Sequence, residues 1–352
     1  YIGDVEITSE NMWVYDGNTN KIILENINYT PGFLKIFDEI LVNARDSTVT
    51  NKNCDSIDVT CNMEEGFIKI KNNGSIPVEE HPKHKIMVPS MIFGEMLSGS
   101  NFNDDEKRTT GGRNGYGSKL ANIFSKEFNV EIGDSKRKKK FKQTWKDNML
   151  IVEKAKVTNY SKGNNYVQVT FYPDFEKFGL KKLDEDHYKL FHRRTLDILG
   201  VSSNKIKVSF NGKRIQINNF KKYVELYYPD ETLFFDDKND RWKVGCIFMP
   251  DSNQQVVSFV NGISTHRGGT HVNHVVDKVV KNLITEIKKK EKDIKVSNTI
   301  IKDNLIFFVN ATVENPAFNS QTKDTLTTKV SKFGSTYNPE NIFLKKIAKS
   351  GI

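Results

Sequence analysis

Between Thr109 and Lys119 the chain places four glycines and two cations in eleven residues, then opens into a helix-like apolar run, Leu120 to Phe124. Glycines lack Cβ, so backbone N–H groups can close around an anion, and a helix start adds partial positive charge. The run Gly111-Gly112-Arg113-Asn114-Gly115-Tyr116-Gly117-Ser118-Lys119 therefore carries phosphate-binding chemistry. It also restricts the fold. The common phosphate loop follows a strand and ends Gly-Lys-Ser/Thr. Here Gly112 and Gly117 keep that loop's spacing, but Ser118-Lys119 follows and no strand-like run leads in. A P-loop fold is disfavoured, and the phosphate site must be completed elsewhere in the chain.

The 352 residues suffice for about two domains of ~150 residues each. An apolar content of 37% supports real cores, and no apolar run reaches the ~18 residues of a membrane-spanning helix. The chain starts mid-pattern at Tyr1-Ile2-Gly3-Asp4, which reads as a fragment without its targeting sequence. Cys54, Cys61 and Cys246 form no CxxC pair, so buried thiols in a reducing compartment are expected. A net charge of +9 suits a polyanionic partner, although charges of both signs also describe any well-solvated protein.

Strands and helices alternate in blocks, which predicts an α+β architecture twice over. Met12–Tyr15 and Lys21–Leu24 read as strands around an Asp16-Gly17-Asn18 turn. Phe33 to Asp46 reads as an amphipathic helix. Ile57–Cys61 and Phe67–Lys71 read as paired strands. Four further segments (Phe128–Ile132, Lys140–Trp145, Leu150–Ala155 and Val167–Tyr172) suggest a meander. Leu183–Leu199 reads as a helix. A domain change is expected between Lys205 and Val224, drawn as domains 1–214 and 215–352. The second has strands near Trp242–Met249, Gln255–Val260 and Asn304–Val313, and a long helix from about Val272 to Lys290.

On the helix from Phe33, the residues Phe33, Phe37, Ile40, Leu41 and Ala44 form an apolar stripe, while Glu39, Asn43 and Asp46 recur on another face. Glu39 could take a proton from an attacking water, and Asn43 could offer a neutral oxygen to Mg²⁺. A merely solvated polar face fits the same spacing. Asn72-Asn73-Gly74, before Ile76-Pro77, suits an amide reading a purine edge or a plain Asn-Gly turn. Ser98-Gly99-Ser100-Asn101 supplies hydroxyls and an amide. Asn319-Ser320-Gln321-Thr322-Lys323 follows Pro316, and a lysine there could meet a terminal phosphate or simply occupy a surface loop.

Taken in order, these stretches resemble the ATPase region of a eukaryotic type IIA DNA topoisomerase. The resemblance covers essentially the whole chain. It is carried by Ile36-Phe37-Asp38-Glu39-Ile40-Leu41-Val42-Asn43-Ala44, Gly111 to Lys119, Ser258-Phe259-Val260-Asn261, and Val309-Asn310-Ala311 through Gln321-Thr322-Lys323. It implies a split-ATPase (GHKL) α/β sandwich followed by a ribosomal-protein-like α+β transducer domain. By position it implies Glu39 as the general base and Asn43 as the Mg²⁺ ligand, with Asn72 at the adenine. Ser98, Gly99, Ser100 and Asn101 would form the nucleotide-contacting segment. Gly112, Arg113, Asn114, Gly115, Tyr116, Gly117, Ser118 and Lys119 would cradle phosphate. Gln321, Thr322 and Lys323 would meet the nucleotide from the transducer, with Lys323 acting catalytically on the γ-phosphate. ATP and Mg²⁺ are the implied cofactors. Double-stranded DNA and a second copy of the chain are the implied partners, in a nucleus and away from any membrane. Lys288, Lys289 and Lys290 would contact DNA.

The sequence departs from the family pattern in three places. Asn73-Gly74-Ser75-Ile76-Pro77 lacks a second glycine and is one residue short. Arg45-Asp46-Ser47 stands where small and amide residues are usual. The arm that crosses to a partner subunit is expected to be missing. A split-ATPase chaperone or mismatch-repair clamp, or a nucleotide-regulated DNA-binding module without turnover, are the alternatives. Lys136-Arg137-Lys138-Lys139-Lys140 reads as a solvated hairpin turn. Asp184-Glu185-Asp186-His187 reads as helix-start chemistry. The spacing of His81, His84, His266, His271 and His274 does not suit zinc.

Overall fold

The structure, a computed structural model, describes residues 2–95, 109–110, 116–252, 255–290 and 293–350. The described residues form two compact units: 2–95 and 116–218 make up the first, and 109–110 with 219–350 the second.

The first unit opens with a hairpin, β1 (Thr8–Asp16) and β2 (Lys21–Tyr29), in register from Thr8↔Tyr29 to Asp16↔Lys21. The Asp16 carboxylate closes its turn by accepting from Asn18 N and Thr19 Oγ1. Helix α1 (Pro31–Thr50) follows, with Pro31 at its first turn, where a missing N–H costs nothing. Next come β3 (Ser56–Asn62), β4 (Phe67–Asn72), α2 (Val88–Gly94), α3 (Gly117–Ile123), β5 (Ser125–Asp134) and β6 (Lys139–Lys146). The unit ends with β7 (Ile151–Val152), β8 (Lys156–Asn159), β9 (Tyr166–Pro173), α4 (Glu185–Gly200), β10 (Lys207–Phe210) and β11 (Lys213–Arg214).

Strands β3 to β11 form one sheet of order β11-β10-β3-β4-β9-β5-β6-β7, with β8 beside β6. The expected meander is corrected here. Strand β9 inserts between β4 and β5, and only Ile151–Val152 of the Leu150–Ala155 segment is strand. Alternation of Ile68, Ile70, Val167, Val169 and Phe171 buries one face of these strands, on which α1 packs over β4 and α3 over β9, while α4 packs on α1 and β10. An aromatic cluster joins α1 to α4: Phe37 stacks on Phe191 at 4.1 Å, and Phe33 meets Phe191 edge-on at 5.2 Å. Such pairs add about 0.5–1.5 kcal/mol each beyond area burial.

The second unit contains α5 (Phe220–Val224), β12 (Leu233–Asn239), β13 (Trp242–Phe248), β14 (Val256–Val260), β15 (Ile263–Ser264), α6 (Thr270–Lys290), α7 (Asn298–Asp303), β16 (Leu305–Ala311) and α8 (Asn341–Ile347). Its sheet has the order β12-β13-β16-β14-β15. Strands β14 and β16 are parallel, so the chain between them must cross over the sheet, and α6 is that crossover. Val272, Val275, Val276, Val279, Leu283 and Ile287 of α6 are buried in a core with Trp242, Phe307, Val309 and Leu344. Asn261, at φ 51°, acts as a substitute strand end: its side chain accepts from Val313 N at 2.9 Å and donates to Val313 O at 2.9 Å.

Candidate functional site

Helix α1 is buried on more than its apolar stripe. Glu39 is 4% exposed and Lys35 is 4% exposed, whereas Asn43, one turn beyond Glu39, lies at the surface. A solvated polar face is thereby ruled out for Glu39. Its Oε1 pairs with Lys35 Nζ at 2.7 Å. Its Oε2 faces the start of α3, so closely that an ideal Cβ on Gly117 would overlap it and lie 2.8 Å from Glu39 Cδ. The glycine run thus delivers its helix directly against the carboxylate that sequence spacing singled out. Gly117 is needed for that approach, not for backbone freedom.

Helix α3 is short and mostly buried. The Ser118 hydroxyl donates to Ile92 O at 3.3 Å, and Tyr116 O accepts the first helical bond from Leu120 N at 2.9 Å. Lys119 is 1% exposed, and burial pushes its ammonium down to about 8. A phosphate arriving nearby would favour the charged form again. Gly112, Arg113, Asn114 and Gly115, with Ser98, Gly99, Ser100 and Asn101, lie outside the described residues.

Asn72 ends β4 and is 6% exposed. Its carboxamide oxygen accepts from Gly74 N at 2.9 Å and from the Cys54 thiol at 3.7 Å. The neighbouring Asn73 is the structural staple: its Oδ1 accepts from Asp55 N and Ser56 N, each at 2.9 Å, and its Nδ2 donates to Asp55 Oδ1 at 2.7 Å. No hairpin forms at this Asn-Gly pair, since β4 leads into a loop whose Val78 N donates to Asp134 Oδ2 at 2.9 Å.

Asn43 tests whether Mg²⁺ suits these residues. Among the described residues no three His, Cys, Asp or Glu side chains gather as a metal cage. A neutral, surface-facing amide beside a buried carboxylate suits a hard ion that takes oxygen ligands and keeps several waters and substrate phosphates. The donor set fits that mode of binding.

In the second unit, Gln321, Thr322 and Lys323 lie in a tight loop. Lys323 is 7% exposed at φ 62°, its N–H donating to Ser320 O at 3.2 Å. Thr322 Oγ1 donates to Asp324 Oδ2 at 2.8 Å, and Arg267 N donates to Asp324 O at 3.2 Å. The loop backbone rests on Gly269, where a Cβ would lie 2.9 Å from Leu326 Cα. The pair Gly268-Gly269 is therefore part of what shapes this loop. In the sequence, two adjacent glycines before a long helix are the signal for it. Lys288, Lys289 and Lys290 are exposed at the end of α6, with Lys289 paired to Glu286. The exposed face of α6 borders a groove of about 660 Å³ lined by Asn273, His274, Lys278, Lys281, Asn282 and Asn338.

The other sequence features are structural. Asp184 caps α4, accepting from His187 N at 2.9 Å and pairing with His187 Nδ1 at 2.7 Å. Lys136 to Lys138 lie in the β5–β6 turn, with Arg137 bonded to Glu79 and Asp134. The three cysteines are free and buried.

A helix carboxylate packed on a glycine-loop helix beneath a mixed sheet, followed by a separate α+β unit, defines a split-ATPase module with a transducer. Comparison with known proteins gives the family. The DNA gyrase B family model matches residues 215–346. DNA topoisomerase 2 of Candida glabrata is 44% identical over 100% of this chain and 26% of its own length. That of Saccharomyces cerevisiae is 45% identical, again over 100% of this chain and 26% of its own. The solved ATPase region of Saccharomyces cerevisiae topoisomerase II superposes with a TM-score of 0.94 at 46% identity, covering 99% of this chain and 91% of that one. The chain belongs to the DNA topoisomerase II family and corresponds to its ATPase region. It spans about a quarter of the length of these curated relatives. The 43K ATPase domain of Thermus thermophilus gyrase B, in complex with an aminocoumarin, matches at 21% identity with a TM-score of 0.60 over 85% of this chain and 80% of that one, a likeness of fold alone.

Proposed function

We propose that this chain binds ATP with Mg²⁺ and hydrolyses it, and that in its full-length protein the cycle drives closure of a dimer gate on DNA. The carrying observation is the buried Glu39 carboxylate held against Gly117 at the end of the glycine run. Phosphoryl transfer needs positioning and charge neutralisation more than covalent catalysis. Glu39 accepts the proton of a water whose oxygen attacks the γ-phosphorus. The bond from that phosphorus to the bridging oxygen breaks, and ADP leaves with the electron pair. Asn72 binds the adenine edge, while Ser98, Gly99, Ser100 and Asn101 contact the nucleotide. Residues Gly112 to Lys119 cradle the phosphates. Asn43 would hold the Mg²⁺, which when bound neutralises phosphate charge. Gln321, Thr322 and Lys323 meet the nucleotide from the second unit, Lys323 as a point charge on the γ-phosphate. That contact gives ATP, and not ADP, a differential interaction with the closed state, as any nucleotide switch requires.

The partners are double-stranded DNA, contacted by Lys288, Lys289 and Lys290, and a second copy of the chain. The relatives named DNA topoisomerase 2 support this reading and, with it, a nuclear place of work. No helix among the described residues is long and apolar enough to cross a membrane. Their identity also sets aside the chaperone and mismatch-repair alternatives. Glu39→Gln decides the enzymatic step. General-base removal should lower turnover by about 10²–10⁴-fold with nucleotide binding retained, and undiminished turnover would remove Glu39 as the base.

A further inference from the structure

Lys35 stands one turn before Glu39 on α1, its Nζ 2.7 Å from Glu39 Oε1, with both side chains 5% exposed. Neither helix electrostatics nor stability explains it. A lysine four residues before a glutamate is the weaker order for a helical ion pair. A cation in the first turns of a helix also opposes the macrodipole. Burying two ions costs several kcal/mol of solvation that their attraction does not reliably offset. A lone buried carboxylate, however, is driven towards its neutral form, and a neutral carboxyl cannot take a proton from water.

We infer that Lys35 is a positioning residue for hydrolysis: it keeps the Glu39 carboxylate ionised in a dry setting and fixes its orientation, while Gly117 bounds the other oxygen. The inference rests on Glu39 as the base. Charged groups on the elements packed around α1 form further pairs. Asp38 is bonded to Arg194 Nε at 2.6 Å, Arg45 pairs with Asp46 at 3.2 Å, and Arg193 pairs with Asp197 at 2.8 Å on α4. Lys119 is buried on α3, which packs against α1. Lys71, on β4, lies over the Tyr166 ring at 4.9 Å. Lys35 places its ammonium 2.7 Å from Oε1.

The test is the pH dependence of kcat for ATP hydrolysis in Lys35→Met, Lys35→Gln and Lys35→Arg, with KM and thermal unfolding measured alongside. Lys35→Met should lose about 10–100-fold in kcat at pH 7, the scale of an impaired proton acceptor. Its acidic limb should move up by at least about one pH unit, so that activity recovers in alkali, with KM little changed. Lys35→Gln keeps a donor for Oε1 but no charge, and should follow Lys35→Met. Lys35→Arg should keep the wild-type limb. Should Lys35→Met fail to fold, Lys35→Gln carries the same readout. A lowered kcat with an unmoved limb, or wild-type kcat in both neutral variants, overturns the role of Lys35. The base assignment fails separately, if Glu39→Gln itself retains turnover.

Discussion

At the scale of single residues, close approach is the main constraint on this site. Gly117 has no positive φ to accommodate, so its need is steric. Gly117→Ala must push the Glu39 carboxylate or α3 aside. Overpacking of this kind costs about 1–3 kcal/mol, and misplacing a reacting group by about an ångström can cost 10²-fold in rate. We expect both, read by urea unfolding and by kcat; wild-type turnover would show that Glu39 tolerates displacement. Lys119 offers a different readout. With its ammonium held down to about 8 by burial, half of it is neutral at that pH. A phosphate bound beside it raises its affinity for a proton. Nucleotide binding at pH 8 should therefore take up a fraction of a proton, and at pH 6, where the lysine is already charged, none from this source. Binding enthalpies in buffers of different ionisation heat measure that uptake. Equal uptake at both pH values would separate Lys119 from the phosphates.

At the scale of elements, α1 was legible because its apolar positions recur at helical spacing and its polar residues at another. What spacing could not supply was depth. Glu39 and Asn43 look alike on a helical wheel, yet α3 covers the first and leaves the second at the surface. Lys35 carried no signal at all, because only burial makes a lysine four residues from a glutamate unusual. The sheet order was illegible for a related reason: insertion of β9 between β4 and β5 pairs residues about a hundred apart, such as Ile70 and Val169, and local alternation is silent about partners. The start of α4 was legible because capping is local. Burial alone would raise the Asp184 carboxyl, but hydrogen bonds from the His187 side chain and backbone outweigh it and hold it below its usual range. A carboxyl depressed in the folded state adds stability above its unfolded value, near 3.9, and loses it as pH falls through the folded value. Asp184→Ala should thus cost about 0.5–2 kcal/mol at pH 7, and the gap from wild type should close as pH drops below about 4. A gap independent of pH would assign the cap's value to shape alone. Helix α6 makes the second elemental prediction. Each phosphate contact contributes about −0.9 to the slope of log K against log salt. Neutralising Lys288, Lys289 and Lys290 should flatten that slope for duplex DNA by up to about three such increments. An unchanged slope would leave them as helix-end charges.

At the scale of the whole chain, the proposed chemistry is shared between separately built cores. Trp242, Val276, Phe307 and Leu344 belong to a core made wholly within the second unit, while Phe33, Phe37, Phe191 and Ile70 are buried within the first. Nucleotide affinity and turnover should therefore come apart when the chain is cut. A fragment of residues 2–218 keeps Asn43, Asn72 and the glycine run, so it should still bind ADP with Mg²⁺. It lacks Lys323, so its ATP turnover should fall by about 10²-fold or more, the usual scale for losing one preorganised charge on the reacting group. Residues 219–352, with their own sheet, should unfold cooperatively alone. Covalent linkage presents the second unit at an effective concentration in the millimolar range. Micromolar second-unit fragment added in trans should then restore little, and millimolar fragment more. Lys323→Ala in the intact chain should match the 2–218 fragment in turnover. If the first unit alone hydrolyses ATP at the rate of the intact chain, Lys323 has no part in the chemical step, and the second unit would only report nucleotide state.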